Sequence, residues 1–277
     1  MQKQIKLAII LIIIGGLLTT AAFFMSFYTA RVRGNAKVFV DGVIADTAFH
    51  IVPEPPFEAT PSEVAKEYFL EGTHPLALQM QEEGVPYERP WFSQKIFYFH
   101  VPVGEASFLI FTVAAIFAVL FLLKREEKYD ARSRIAMETA LVFVVATMIT
   151  GVMWTRAGWG VWWDWTPRLT TFFIMMVLMI AYFVIRNSVD DEERAATYAA
   201  VFCIIAWVDA PISFLITRLI PDKHPVVFNS GMDTTNLIPF IIAQIGMLAF
   251  GYAIYVLRAS EEDIRLRLDA VKEGLEG

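Results

Sequence analysis

Six apolar runs divide the chain, at residues 5–28 and about 103–123, 135–154, 169–185, 196–217 and 237–257. Each is rich in Ile, Leu, Val, Ala and Phe and long enough to cross the hydrocarbon core of a bilayer as a helix. The pattern predicts an all-α polytopic membrane protein with six transmembrane helices. The first run follows Lys3 and Lys6, as a signal peptide would. It is longer than a usual signal core, and no small-x-small cleavage site precedes Arg31-Val32-Arg33, so the reading is an uncleaved first span.

Between the first two runs lies a polar segment unlike the rest. Ala36 to Ile44 alternates around an Asp41-Gly42 turn and reads as a hairpin. Thr60-Pro61-Ser62-Glu63 is a capping box that opens a short helix closing near Gly72. The expected organisation is therefore a first transmembrane helix at 1–28, a small extracytoplasmic insert at 29–98, a five-helix membrane domain at 99–257, and an amphipathic tail at 258–277. The membrane domain includes a tryptophan-rich loop at 155–168.

Composition agrees with the pattern: 56% of residues are hydrophobic and the mean hydropathy is +0.51, outside the range of ordinary soluble domains. The formal charge of −6 and the absence of a long basic run exclude nucleic acid as a partner. A single cysteine, Cys203, inside an apolar run rules out an internal disulfide or a CxxC metal pair and reads as a packing residue. The two loops at 124–134 and 186–194 carry seven Lys and Arg against four in the opposite short loops, which places both termini in the cytoplasm. His100, the tryptophan-rich loop and His224 then share the extracytoplasmic side.

Four of the seven tryptophans fall within Trp159-Gly160-Val161-Trp162-Trp163-Asp164-Trp165-Thr166-Pro167-Arg168. Indole is amphipathic and collects at apolar–aqueous borders, so one reading is an interfacial aromatic belt. The other is a surface for a flat, aromatic, anionic ligand, with Gly160 admitting close approach and Arg168 supplying a planar cation. His100, in Phe99-His100-Val101-Pro102, and His224, in Lys223-His224-Pro225, are each expected at the mouth of a span. Two imidazoles from separate elements can hold a haem iron on opposite faces, and the alternative for each is an interfacial residue bonded to backbone or water. His50 and His74 read as surface residues. Asp209, beside Pro211 in the fifth span, is either functional or satisfied within the bundle. Glu105 either tunes the His100 site or faces water, while Glu138 and Gln244 are expected in interhelical hydrogen bonds.

Trp159-Gly160-Val161-Trp162-Trp163 through Pro167-Arg168-Leu169-Thr170 resembles the tryptophan-rich signature of the haem-handling membrane proteins of cytochrome c biogenesis. Lys95 to Pro102 is similar to the segment bearing the first haem-ligand histidine in the haem exporter protein C (cytochrome c maturation protein C) family, and His224 falls where the second is expected. Six spans and the order histidine, tryptophan loop, histidine agree over residues 95–257. Two departures stand out: the aspartate that usually follows the last tryptophan is replaced by Thr166, with Asp164 lying before Trp165, and the segment 29–98 is longer than the usual loop.

The resemblance implies a bacterial inner-membrane protein that is not an enzyme. It would hold non-covalent b-type haem, with His100 and His224 as axial iron ligands and Trp159, Gly160, Trp162, Trp163, Trp165 and Arg168 around the porphyrin. It would pass that haem to a periplasmic chaperone of the cytochrome c maturation protein E type. Its expected partners are the A and B proteins of an ABC transporter and a small membrane subunit of the D type. Two other functions fit the same residues: a transporter moving haem or another amphipathic anion through the bundle, with Asp209 and Pro211 at a gate, and a haem lyase acting directly on an apocytochrome.

Overall fold

A computed structural model describes residues 2–28, 90–159, 161–220 and 234–276. Among these residues the fold is all helical: α1 (Gln2–Tyr28), α2 (Pro90–Lys124), α3 (Glu127–Trp159), α4 (Pro167–Asn187), α5 (Glu192–Trp207), α6 (Asp209–Leu219) and α7 (Thr234–Glu276). Lipid cannot satisfy backbone N–H and C=O groups, so sequences this apolar must bond internally, and a helix does so within one segment. Six spans are long and apolar enough to cross a membrane, with α5 and α6 together forming the fifth. The protein is a multi-pass membrane protein, as its hydropathy predicts. The expected hairpin and short helix of the insert, with His50 and His74, lie outside the described residues.

Three features differ from the apolar pattern. Helix α2 begins at Pro90, well before the apolar run, and passes through Pro102 without ending. His100 therefore sits inside a helix rather than ahead of one. Proline is tolerated there because neighbouring groups in a membrane bundle can take up the freed carbonyl. The fifth span breaks at Val208, where Pro211 has no N–H to give to the helical ladder and α6 starts afresh at Asp209. Finally, α7 does not stop at the end of the last apolar run: one helix of 43 residues carries the span and the expected tail without interruption.

Small residues set the packing. Ala114, Ala118, Ala136, Ala140, Ala199 and Cys203 are buried at the centre of the bundle, with Met175, Met179 and Tyr182 of α4 filling the space they leave. Cys203 is a packing thiol, as expected. A Cβ on Gly15 would lie 2.7 Å from the Gly246 carbonyl, and one on Gly246 would lie 2.8 Å from Thr19 Oγ1, so glycine alone allows α1 and α7 to meet backbone to backbone. Polar bonds pin the register elsewhere: Ser133 Oγ donates to the Ala114 carbonyl at 2.9 Å, and Trp207 Nε1 donates to Thr112 Oγ1 at 3.0 Å.

The two ends of the bundle differ in chemistry. At one end Arg186 forks onto Asp130, Arg132 onto Asp263, and Arg134 joins Glu138 to Glu262, while Arg258 of α7 reaches Glu138 of α3 at 2.8 Å. Glu138 thus makes the interhelical bond expected of it. Gln244 differs, since its Oε1 is buried with no partner among the described residues. The opposite end gathers the C-terminus of α1, the first turns of α2 and α7, and the loop between α3 and α4. There the Lys95 ammonium donates to the Ser26 carbonyl, and the Tyr98 hydroxyl donates to Asn236 Oδ1 at 3.1 Å.

Candidate functional site

His100 projects from α2 toward α3, where Thr147, Thr150, Gly151 and Trp154 recur at helical spacing along one face. Its Nδ1 lies 2.9 Å from Thr150 Oγ1. The Thr150 hydroxyl has one hydrogen, and that hydrogen is directed to its own helix, with the Ala146 and Thr147 carbonyls at 2.8 and 3.1 Å. With Thr150 accepting from the ring, Nδ1 would carry the imidazole proton and Nε2 would keep its lone pair, the tautomer that a metal ligand needs. The Thr147 carbonyl is also within hydrogen-bonding reach of the ring. Fixing one ring nitrogen to leave the other as a donor to metal is the usual supporting arrangement for a ligand histidine.

Gly151 makes room for that ring. A Cβ there would stand 3.0 Å from His100 Cε1, closer than real contacts of this kind. The Trp154 indole meets the imidazole edge to face, with centroids 5.2 Å apart, and Phe97 links Trp154 at 6.1 Å to Phe240 of α7 at 5.2 Å. Trp154 thus walls one side of His100, and a chain of ring contacts continues from it through Phe97 to Phe240 of α7.

The tryptophan loop is a corner, not a flat shelf. Trp163 turns inward, with Nε1 buried and no partner among the described residues. Trp165 meets it at 5.4 Å with the planes at 81°, and both rings pack edge-on against Phe173. Trp162 and Trp165 are 63% and 66% exposed and form the outward surface of the loop. Thr155 Oγ1 lies 3.0 Å from the Trp162 carbonyl, and the Arg156 guanidinium stands over the Trp162 ring at 5.6 Å.

The loop ends on a helix cap. The Thr166 side chain accepts from the Leu169 N–H, with Pro167 at the first helical position, so the residue after the last tryptophan starts α4. Aspartate, the usual residue at this position in the family that the sequence resembles, supplies the same kind of acceptor.

Arg168 points into the bundle. Its Nη1 donates to the Ser213 and Phe214 carbonyls at 2.7 and 3.0 Å, and its guanidinium lies over the rings of Phe108 and Phe214. It ties α4 to α2 and α6, and its charge lies within electrostatic reach of both His100 and Glu105. Glu105 is half-buried rather than turned to water. Asp209 heads α6, where a carboxylate complements the positive end of the helix dipole, and its Oδ2 is buried without a partner among the described residues.

The described residues bring together His100, Trp162, Trp163, Trp165 and Arg168 at one end of the bundle. Gly160 and His224, and the side chain of Trp159, lie outside them. The described residues flanking His224, Ile220 after α6 and Thr234 at the start of α7, belong to that same end. Thr150, Gly151 and Trp154 are additions to the sequence-read site. The signal for them was the polar and small positions at 147, 150, 151 and 154 on one face of an otherwise apolar helix.

The sequence profile of the family described as Heme exporter protein C matches residues 89–273. Proteins of that name from Rhodobacter capsulatus and Paracoccus denitrificans are 28% and 29% identical to this chain, over 65% and 64% of its length and 76% of theirs. A cytochrome c biosynthesis ccmC-like mitochondrial protein of Marchantia polymorpha is 32% identical over 43% of this chain and 49% of its own.

Proposed function

The chain belongs to the heme exporter protein C family, and from that premise we propose that it binds haem at one membrane face and delivers it during cytochrome c maturation. His100 and His224 are the axial iron ligands, and the haem is non-covalent and b-type. The observation that carries this reading is the 2.9 Å contact of His100 Nδ1 with the Thr150 hydroxyl, which holds the ring by one nitrogen and supports Nε2 as the donor to iron. The donor set fits the group: a neutral imidazole for the metal, and the apolar rings of Trp154 and Phe97 beside it for the porphyrin face.

Bound haem supplies a metal centre and two propionates, and the residues of this chain hold and orient it. Trp162 and Trp165, exposed on the loop, cover the porphyrin edge and keep water from it. Arg156 over Trp162, and Arg168 deeper in, are the cations of this chain that would meet the propionates. The protein acts as a delivery factor, passing haem to an extracytoplasmic chaperone while associated with an ABC transporter and a small membrane subunit. The haem face is extracytoplasmic, the membrane is the bacterial inner membrane, and both termini are cytoplasmic.

Absorption spectra of the detergent-purified protein, oxidised and reduced, test the ligand assignment. His100→Ala and His224→Ala should each weaken a low-spin haem spectrum; spectra unchanged from the parent in both variants would overturn the assignment. A second reading, passage of cargo through the bundle, draws on the helix break at Val208 beside Asp209. Release of haem into proteoliposomes containing this chain alone would favour it over delivery from one face.

A further inference from the structure

At the end of the bundle opposite His100, a cavity of about 350 Å³ opens between α1, α2, α3 and α7. Its polar wall is Lys128, Tyr129 and Arg132 of α3 with Tyr255 and Ser260 of α7 and Gln4 of α1. Among the described residues no carboxylate lines it. Every polar side chain in that wall can donate a hydrogen bond, and two are cations, which is the chemistry of an anion site.

The cations are held in place. Arg132 is forked on Asp263 at 3.2 Å to both oxygens, and Lys128 is paired with Glu126. The Lys128 and Lys124 ammoniums stand 4.9 and 5.2 Å from the centre of the Tyr129 ring, with Lys124 also donating to its hydroxyl. Lys124, donating to the Tyr129 hydroxyl, adds a third cation beside the two that line the cavity.

The cavity also extends past the level of the charges. Its apolar wall is Phe117 and Val256, and Tyr252 at its margin is 53% exposed on the outer surface of α7. Phe117 precedes Lys124 by two helical turns, about 10 Å along α2. One end of the cavity is therefore polar and cationic, and the other opens sideways into hydrocarbon. A soluble anion uses the first half only. We propose that this cavity binds the headgroup of an anionic phospholipid, its phosphate between Lys128 and Arg132 and its acyl chains leaving along Phe117 and Tyr252.

The test uses the full chain purified in a neutral detergent, with thermal unfolding followed as lipid is added. Phosphatidylglycerol should raise the midpoint by several degrees more than phosphatidylcholine at equal concentration, and inorganic phosphate should leave it unchanged. Lys128→Gln, at an exposed position, should need about fivefold more phosphatidylglycerol for the same shift, the loss of about one basic contact. Arg132→Gln with Asp263→Asn, which removes both members of an ion pair, should do the same. Equal shifts from the two lipids, an equal shift from inorganic phosphate, or an unchanged response in both variants would each overturn the proposal.

Discussion

The Tyr98 hydroxyl donates to the side-chain carbonyl of Asn236 at 3.1 Å, both side chains being buried, and joins the first turns of α2 to the first turns of α7. The bond spans 138 residues of sequence and lies between the helix that carries His100 and the helix that follows His224. Tyr98→Phe would remove this bond between two buried side chains, at a cost of about 0.5–1.5 kcal/mol. The expected outcome is a lower thermal midpoint together with weaker haem retention on size exclusion. Haem retention equal to the parent would separate this contact from the site.

Thr150→Val keeps the shape of the side chain and removes the acceptor for His100 Nδ1. Haem affinity should fall about 10–100-fold, the usual effect of losing a supporting bond to a ligand. Gly151→Ala should also lower affinity, because the added methyl reaches 3.0 Å from His100 Cε1 and the ring must turn. Haem titration followed by absorbance measures both, and far-ultraviolet circular dichroism checks that the helices are intact.

Thr166→Ala removes the N-cap of α4 and should destabilise the protein by about 1 kcal/mol, whereas Thr166→Asp should stay within a few tenths. Thermal unfolding in detergent distinguishes them. A loss as large for aspartate as for alanine would show that Thr166 does more than cap.

Arg186 and Asp130 form a forked pair with side chains 18% and 15% exposed. Arg186→Met alone would strand a largely buried carboxylate and cost about 2–4 kcal/mol, while adding Asp130→Leu should recover most of the loss. The double-mutant cycle, read by thermal unfolding, gives the coupling.

Much of this fold is legible in hydropathy, because a membrane span is defined by length and apolarity, and the six runs give the six spans. Their ends are less legible. The second apolar run starts near residue 103, yet α2 begins at Pro90 and runs through Pro102, since a bundle tolerates proline where an isolated helix would break. The last apolar run ends near residue 257, but the ion pairs of Arg132, Arg134 and Glu138 with α7 carry the helix on into a sequence that reads as a separate tail. Within the site, His100 and the tryptophans stand out by residue type. Thr150 and Gly151 do not, because their role depends on how α2 is rotated against α3, which no single span encodes. Arg168 is visible as a cation, but its engagement with the Ser213 and Phe214 carbonyls depends on where α6 restarts after the break at Val208.

At about 1.5 Å per residue, the unbroken α7 is about 65 Å long, roughly twice the thickness of the hydrocarbon it crosses. It meets α1 backbone to backbone at Gly246, about 18 Å from Thr234 and about 45 Å from Glu276. That contact makes the helix a lever with unequal arms. Any tilt about the glycine fulcrum moves the far tip in water about two and a half times as far as the end beside Asn236, and in the opposite direction.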